Sequence, residues 1–297
     1  MRRDIEFKTE DGVTLRGWFY QGKGVTGPAP TVVMAHGFSA VKEMYLGDFA
    51  EFFAEEGIST LVYDHRNLGD SDGVPRGHID PRQQIDGYRD AITHAQSMDE
   101  VDADRIGTWG SSYSGAHVLV VGAIDRRVKC VVSQVPLVAG LESARRLIRG
   151  DHWEMLRAGF AADRAARMRG EPGARMPVAA PEGEPAVLPT PDTYEFFTEF
   201  AKSNESKWEN DVTMHSVELF TEYEPGVYVP RISPTPLLLI AATGDHLTPY
   251  DLTAKAYEEA LEPKKFLSLP CRHFEAYTGD IFRMSAPVQR EWFKTHL

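Results

Sequence analysis

The sequence has 297 residues, 42% of them hydrophobic and 26% charged, with a formal net charge of −12 at pH 7. This length suits one large α/β domain or two small ones, and the composition is that of an ordinary globular protein. The acidic balance argues against nucleic acid and anionic membrane surfaces as partners. No apolar run approaches the ~18–20 residues that span a bilayer, and the first residues lack the apolar core of a signal peptide.

The sequence contains only two cysteines, Cys130 and Cys271, and they do not form a C-x-x-C pair. This usage favours a reduced compartment and argues against a structural zinc site. We therefore expect a cytoplasmic protein that needs neither a metal nor another cofactor. Its expected partner is a small-molecule substrate, and the sequence leaves homo-oligomer formation open.

The first half of the chain predicts alternating strands and helices. Residues 3–9 and 14–20 predict a hairpin, and the β-branched run at 31–35 predicts a strand buried on both faces. Further predicted elements are a helix at 44–56, a strand at 59–64, a helix at 82–97, a strand at 105–109, a helix from 113 and a strand at 128–135. The pair Asp80-Pro81 is typical of a helix start. Such alternation predicts an α/β fold with a mostly parallel, doubly wound sheet.

The alternation stops after residue 137 and resumes at a strand predicted for residues 236–242. Between them lie a helical stretch at about 141–169, aromatic-rich segments, and a proline-rich loop at 170–192 in which we expect no regular element. A helix at 250–261, a strand at 264–269 and a helix around 285–295 close the chain. We therefore predict a core domain of residues 1–137 and 236–297, with a helical cap of residues 138–235 inserted between two core strands.

Three serines follow the strand predicted at 105–109, and steric demands select one of them as a nucleophile. A nucleophile elbow is a sharp strand-to-helix turn that requires small residues at positions −2, +2 and +3. Trp109 at −2 argues against Ser111, and His117 at +3 argues against Ser114. For Ser112 these positions hold Gly110, Ser114 and Gly115, and all three are small. Ser112 is the predicted nucleophile, in a G-x-S-x-S rather than a G-x-S-x-G pattern.

A nucleophilic serine is activated by a histidine that an acidic residue orients, and these three residues form a catalytic triad. The acid and the histidine are predicted from their order along the chain and their position at strand ends. After a nucleophile elbow, the acid and then the histidine follow the serine along the chain. Asp245 lies just beyond the strand at 236–242, and His273 lies four residues beyond the strand at 264–269. Open α/β sheets build their sites at such carboxyl ends. The rival residues are Asp251 in the next helix, Asp280 after the histidine, and His246 beside the acid.

Serine chemistry also needs donors for the oxyanion of a tetrahedral intermediate. The backbone N–H of Tyr113, directly after the nucleophile, is one candidate. The backbone N–H of Phe38, in the loop after the strand at 31–35, is the other, and His36 in the same loop is interpreted as structural.

Five motifs resemble the α/β-hydrolase superfamily: AHGF, YDHRNLGDSDG, WGSSYSGAHVL, ATGDHLTP and PCRHF. Within it, the chain is similar to dienelactone-hydrolase-like and X-Pro-peptidase-like serine hydrolases, including the capped polyketide-transferase-type subgroup. The resemblance covers nearly the whole chain and implies a Ser112–Asp245–His273 triad, with Phe38 and Tyr113 at the oxyanion hole. It also implies that the loop at 64–73 is structural rather than a metal site.

Other candidate residues are interpreted as structural. The arginines around 144–149 and 164–169 are expected on solvated helix faces, and Cys271 is expected to be a packed thiol. Some aromatic residues of the predicted cap are expected to line a pocket over Ser112. The candidates are Trp153, Phe160, Tyr194, Phe196, Phe197, Phe200, Trp208 and Tyr223.

The sequence therefore predicts a serine hydrolase that cleaves an ester or a related acyl bond of a small, apolar or aromatic substrate through an acyl-enzyme. Acyl transfer or thioester cleavage by the same triad, on a polyketide-like substrate, is an alternative. A binding protein that keeps the fold without turnover is a second alternative.

Overall fold

The computed structural model describes residues 2–202 and 207–297, and most of its strands form one sheet. The eight strands are β1 (Arg2–Lys8), β2 (Thr14–Tyr20), β3 (Ala29–Ala35), β4 (Ser59–Tyr63), β5 (Val101–Ser111), β6 (Val128–Gln134), β7 (Leu237–Ala242) and β8 (Lys264–Leu269). Their spatial order is β1-β2-β4-β3-β5-β6-β7-β8. Strand β2 pairs antiparallel with β1 and β4, and all other pairs are parallel. The predicted mostly parallel sheet is confirmed.

Helices cover both faces of this sheet. The α-helices of residues 2–202 and 207–297 are α1 (Leu46–Ala54), α2 (Pro81–Gln96), α3 (Tyr113–Ile124), α4 (Gly140–Leu147), α5 (Gly150–Met168), α6 (Pro191–Ala201), α7 (Met214–Glu222), α8 (Tyr250–Glu259) and α9 (Gly279–His296). Apolar residues of α2, α3 and α8 pack on one face, and those of α1 and α9 pack on the other. Helix α3 is buried from Tyr113 to Ala123, which places its first turn deep inside the molecule.

Local sequence signals explain several element boundaries. Asp80 accepts hydrogen bonds from the backbone N–H groups of Arg82 and Gln83, and Pro81 occupies the first turn of α2, as predicted. In β3, Val33 faces one apolar cluster and Met34 the other, so a continuous apolar run forms a strand buried on both sides.

Residues 138–235, which we call the inserted segment, contain α4 to α7 and a 3₁₀ helix at Pro225–Arg231. The helical stretch predicted at about 141–169 consists of two helices, because extended backbone at Ile148 separates α4 from α5. The expectation of no regular element at 170–192 is wrong. Arg175–Met176 forms a two-residue strand there because it pairs with Val212–Thr213, far along the chain.

The last helix begins earlier than predicted: α9 begins at Gly279, not near 285, and includes Pro287. Near the end of the inserted segment, Val229 and Ile232 belong to the apolar cluster that also contains α3 residues. The division of the chain at 138 and 236 remains a prediction.

Among the helices of residues 2–202 and 207–297, none combines the length and the apolar character needed to cross a membrane.

Candidate active site

Ser112 lies at the turn between β5 and α3, with φ 58° and ψ −115°. This backbone conformation is unusual for a residue with a side chain, and neighbouring glycines make the turn fit. A Cβ on Gly110 would lie 2.1 Å from the carbonyl oxygen of Ser114. A Cβ on Gly115 would lie 3.0 Å from the carbonyl oxygen of Gln134. The packing thus has the steric demands from which Ser112 was predicted.

The structure brings Ser112, His273 and Asp245 together. The distance from Ser112 Oγ to His273 Nε2 is 3.1 Å, and the distance from His273 Nδ1 to Asp245 Oδ2 is 2.6 Å. Asp245 and His273 are buried, so water does not compete for their hydrogen bond. This arrangement can hold the imidazole with a proton on Nδ1 and leave Nε2 free to accept the proton of Ser112.

Asp245 is held by the turn that follows it. Its Oδ1 accepts hydrogen bonds from the backbone N–H groups of Leu247 (2.9 Å) and Thr248 (2.8 Å). The Thr248 hydroxyl lies 2.8 Å from Asp245 Oδ2 and 3.0 Å from the carbonyl oxygen of Val135. Thr248 was not singled out from the sequence. The available signal was its place three residues after an aspartate, a spacing typical of a side-chain-capped turn.

The rival residues lie elsewhere. Asp251 forms a bidentate ion pair with Arg146, and Asp280 pairs with Arg283. His246 is exposed. None of these three contacts Ser112.

The loop after β3 lies directly against the elbow. A Cβ on Gly37 would lie 2.9 Å from Ser112 Cβ and 3.3 Å from Ser112 Oγ, so only glycine allows this approach. The next N–H, of Phe38, meets no hydrogen-bond acceptor among the described residues. The N–H of Tyr113 is also free, because Tyr113 is the first residue of α3 and has no intrahelical partner. Both predicted oxyanion donors are thus unpaired N–H groups next to Ser112 in the chain or in space.

An apolar cavity of about 40 Å³ lies above Ser112. Its aromatic walls come from Phe38, Tyr113, Phe196, Phe197, Phe220, Phe274 and Tyr277. Aliphatic residues from both the core and the inserted segment complete it, including Leu137 and Leu188. The inserted segment therefore contributes directly to the wall of the site.

Of the eight aromatic candidates in the inserted segment, Phe196 and Phe197 line this cavity. Tyr223 does not line the cavity; it is half-buried, its ring contacts Tyr113, and its hydroxyl lies 3.0 Å from His117 Nδ1. Phe220 and Phe274 were missed by the sequence interpretation. Phe274 directly follows the predicted base His273, and this neighbourhood was its available signal. No spacing rule identifies Phe220, because the contacts that bring it to Ser112 are long-range.

The loop at 64–73 is organised around a buried lysine. The Nζ atom of Lys42 lies 2.7 Å from Glu43, 2.8 Å from Asp64 and 2.5 Å from Asp70. These three carboxylates form the one group among the described residues that could hold a metal ion. The Lys42 ammonium already supplies a cation there. Burial lowers the pKa of Lys42, but the charge of Asp64 and the hydrogen bonds outweigh this effect and raise it.

The arginines and the cysteine behave as structural residues. Arg149 pairs with Asp151 and Arg167 pairs with Asp163, and no arginine of the described residues lines the cavity at Ser112. Burial raises the pKa of Cys271 to about 11, so its thiol stays protonated at neutral pH.

Fold and site together define an α/β hydrolase: a mostly parallel eight-stranded sheet with a serine elbow at the end of β5 and an acid and a histidine after β7 and β8. Residues 11–275 match the family model of X-Pro dipeptidyl-peptidase (S15 family). The chain belongs to this family.

Individual relatives are similar over almost the whole chain. A thiohydrolase from Eupenicillium brefeldianum is 30% identical, with 99% of this chain and 94% of that protein covered. The polyketide transferase ATR5 from Stachybotrys chlorohalonatus is 30% identical, with 100% and 98% covered. The crystal structure of the α/β hydrolase GrgF from Penicillium sp. sh18 has a TM-score of 0.86, 28% identity, and 100% and 99% coverage. The resemblance and the fold class are confirmed, and the chain is an enzyme of the hydrolase and acyltransferase type.

Proposed function

We propose that this enzyme is a serine-dependent acyl hydrolase that cleaves an ester or a thioester of an apolar acyl group. The observation that carries the proposal is the hydrogen-bonded series from Ser112 Oγ through His273 to Asp245 at the floor of an apolar cavity. A serine hydroxyl is a weak nucleophile at neutral pH, and an adjacent imidazole is the usual way to activate it.

In the acylation half-reaction, Ser112 Oγ attacks the substrate carbonyl carbon while its proton moves to His273 Nε2. Asp245 stabilises the resulting imidazolium through the 2.6 Å hydrogen bond to Nδ1. The carbonyl oxygen becomes an oxyanion and accepts hydrogen bonds from the N–H groups of Phe38 and Tyr113. The intermediate then collapses, the bond to the leaving alcohol or thiol breaks, and His273 returns its proton to that group.

In the deacylation half-reaction, a water molecule takes the place of the leaving group. His273 Nε2 removes a proton from this water as its oxygen attacks the acyl carbon. Collapse of the second tetrahedral intermediate releases the acid and returns the proton to Ser112 Oγ. The two half-reactions thus need the same donors and the same base.

The walls of the cavity support a neutral, apolar acyl group. No Asp, Glu, Lys or Arg from the described parts of the chain lines it. The free amino end of a dipeptide would carry a positive charge into this apolar space, at a high desolvation cost and without an anionic partner. We therefore propose an uncharged acyl substrate rather than the dipeptide named in the family description.

The cavity size supports movement of the inserted segment during binding. About 40 Å³ holds only a few water molecules. An acyl chain longer than a few carbons needs Phe196, Phe197 or Phe220 to move, and Phe196 and Phe197 lie on α6 while Phe220 lies on α7. Displacement of the inserted segment is the proposed route by which larger substrates enter.

Labelling with a fluorophosphonate tests the proposed nucleophile. The wild-type enzyme should be modified on Ser112, and Ser112→Ala should lose both labelling and hydrolysis of short p-nitrophenyl esters. Ser111→Ala is the matched control, because Ser111 is the adjacent buried serine and contacts Tyr277 rather than His273. Persistent labelling of Ser112→Ala would place the nucleophile elsewhere, and an unlabelled, inactive wild type would favour the non-catalytic binding alternative.

Acyl transfer is the second candidate function. It is favoured by the buried, apolar surroundings of Ser112, which disfavour free access of water, and by the similarity to a polyketide transferase. Matched ester and thioester substrates with the same acyl group, offered with and without an acceptor alcohol, separate the candidates. Free acid as the main product in the presence of acceptor supports hydrolysis, whereas the transferred ester as the main product supports acyl transfer.

A further inference from the structure

Ser114 departs from the common G-x-S-x-G pattern, and its hydroxyl makes two buried contacts. It is two residues beyond Ser112, fully buried in the first turn of α3. Its Oγ donates a hydrogen bond to the carbonyl oxygen of His36, and it lies 2.8 Å from His65 Nε2. A carbonyl oxygen can only accept a hydrogen bond, so the single hydroxyl proton of Ser114 points to the carbonyl oxygen of His36. His65 Nε2 therefore carries a proton and donates a hydrogen bond to Ser114 Oγ.

The histidine rings are neutral, which fixes these roles. Burial lowers the pKa of His36 to about 4 and lowers the pKa of His65 well below its usual value. His36 Nε2 accepts a hydrogen bond from the backbone N–H of His65 at 3.2 Å. Its remaining nitrogen, Nδ1, must then carry the ring proton, and it lies 3.0 Å from the carbonyl oxygen of Gly37.

The contact with the Gly37 carbonyl determines the direction of the Phe38 N–H. In a planar trans peptide the C=O and the following N–H point in opposite directions. The His36 ring and the Ala40 N–H (3.3 Å) both hold the Gly37 carbonyl, so the Phe38 N–H of the same peptide is turned the other way. Gly37 itself lies against Ser112. The orientation of this N–H is therefore set by His36, whose own carbonyl is held by Ser114.

We infer that Ser114, His65 and His36 form a positioning chain that holds the Phe38 N–H at the oxyanion position, an inference that rests on the proposed serine mechanism. Of the three residues, His36 lines the cavity, whereas Ser114 and His65 do not. They act through the Gly37–Phe38 peptide, and the serine at position +2 ties the oxyanion loop to the elbow itself. A glycine at this position could not do so.

Steady-state kinetics of Ser114→Ala test the chain, with Ser133→Ala as the matched control. Ser133 is also fully buried and donates one hydrogen bond (2.8 Å) to a backbone carbonyl, that of Gly115 in α3, but it does not contact the oxyanion loop. Removing one oxyanion donor lowers kcat about 10²–10³-fold, so a misplaced donor should lower kcat about 10–10²-fold. We expect this loss in kcat with KM nearly unchanged for Ser114→Ala, and less than about 3-fold for Ser133→Ala.

Two inhibitors distinguish positioning from general damage. Ser112 Oγ adds to the carbonyl carbon of a trifluoromethyl ketone, and the hydroxyl proton of Ser112 moves to His273. The ketone oxygen becomes an oxyanion at the Phe38 N–H. The methyl ketone with the same alkyl chain binds without forming this adduct. Ser114→Ala should weaken binding of the trifluoromethyl ketone by the same factor by which it lowers kcat. It should leave the affinity for the methyl ketone unchanged.

Equal kinetic losses in Ser114→Ala and Ser133→Ala, or parallel weakening of both ketones, would overturn the inference. If Ser114→Ala does not fold, Ser114→Gly is used instead and the same comparison applies. Glycine also lacks the hydroxyl, and it is the residue that the common G-x-S-x-G motif has at this position. Ser112→Ala separates the two proposals. If Ser112→Ala remains active, the serine mechanism fails; if it is inactive while Ser114→Ala matches its control, only the positioning chain fails.

Discussion

His273 lies 28 residues from Asp245 in the sequence, whereas His246 is its direct neighbour. His273 is buried and lies between Asp245 and Ser112, whereas His246 follows Asp245 directly but is exposed. Nearness in the chain does not bring a side chain to the site here. The turn after β7 directs the carboxylate inward and its neighbour outward.

We expect His273→Ala to lower kcat by at least about 10³-fold, because the general base and the proton donor to the leaving group are lost together. KM should change far less, since the apolar cavity walls remain. His246→Ala is the matched control and should keep near-normal kcat. The check is steady-state hydrolysis of a p-nitrophenyl ester by both variants, and near-normal turnover by His273→Ala would contradict the account.

Among the residues of the site, those that could be predicted are the ones that local rules of the sequence identify. Ser112 follows from the size of its neighbours at three fixed positions, and Asp245 and His273 follow from their places at strand ends. Phe220 has no comparable rule, and the three-residue spacing from Asp245 indicates a turn at Thr248 but not its long-range contact. Thr248 bridges Asp245 to the carbonyl of Val135, 113 residues away, and Phe220 stacks on Tyr113. Such contacts exist only once the chain has folded.

At the scale of elements, the loops after β3 and β4 are joined by one buried ammonium group. Lys42 follows β3 and is only 2% exposed in its side chain, whereas Asp64 and Asp70 follow β4. Lys207, from the inserted segment, pairs with the same Asp70 but is 65% exposed. Two lysines thus share one partner in very different surroundings.

We expect Lys42→Met to destabilise the fold by about 3–5 kcal/mol, because it leaves the buried Asp64 without its cation. Lys207→Met removes an exposed pair and should cost less than about 1 kcal/mol. Urea unfolding of both variants at pH 7 gives the two values. Equal losses would show that burial does not determine the contribution of these pairs.

Element boundaries were less predictable than element types. The strands and helices of the core occur in the predicted order because their apolar patterns are local. The interruption between α4 and α5 has little signal beyond Gly150, and the two-residue strand at Arg175–Met176 depends on a partner beyond the proline-rich loop. Tertiary pairing decided the second feature.

At the scale of the whole molecule, buried neutral histidines make stability depend on pH. Burial lowers the pKa of His36 to about 4, that of His117 to about 3 and that of His65 well below its usual value. The unfolded chain therefore binds more protons than the folded one below about pH 6.5. Stability should fall as the pH falls from about 6.5 towards 4.

We expect the free energy of unfolding to be lower at pH 5 than at pH 7 by about 4 kcal/mol. Each of the three histidines contributes up to about 1.4 kcal/mol per pH unit in this window. The raised pKa values of the buried Asp64 and Glu43 act in the opposite direction and make the change smaller. Urea unfolding at both pH values tests this, and equal stability would contradict the neutral state of the buried rings.

The proposed mechanism requires that Ser112 becomes covalently acylated during turnover. The most direct measurement is acid quenching of the enzyme with a p-nitrophenyl ester in the steady state, followed by mass spectrometry of the intact protein and its peptides. We expect one added acyl group, located on Ser112 and absent from Ser112→Ala. A burst of p-nitrophenol without any acyl adduct on the protein, or an adduct on another residue, would contradict this mechanism.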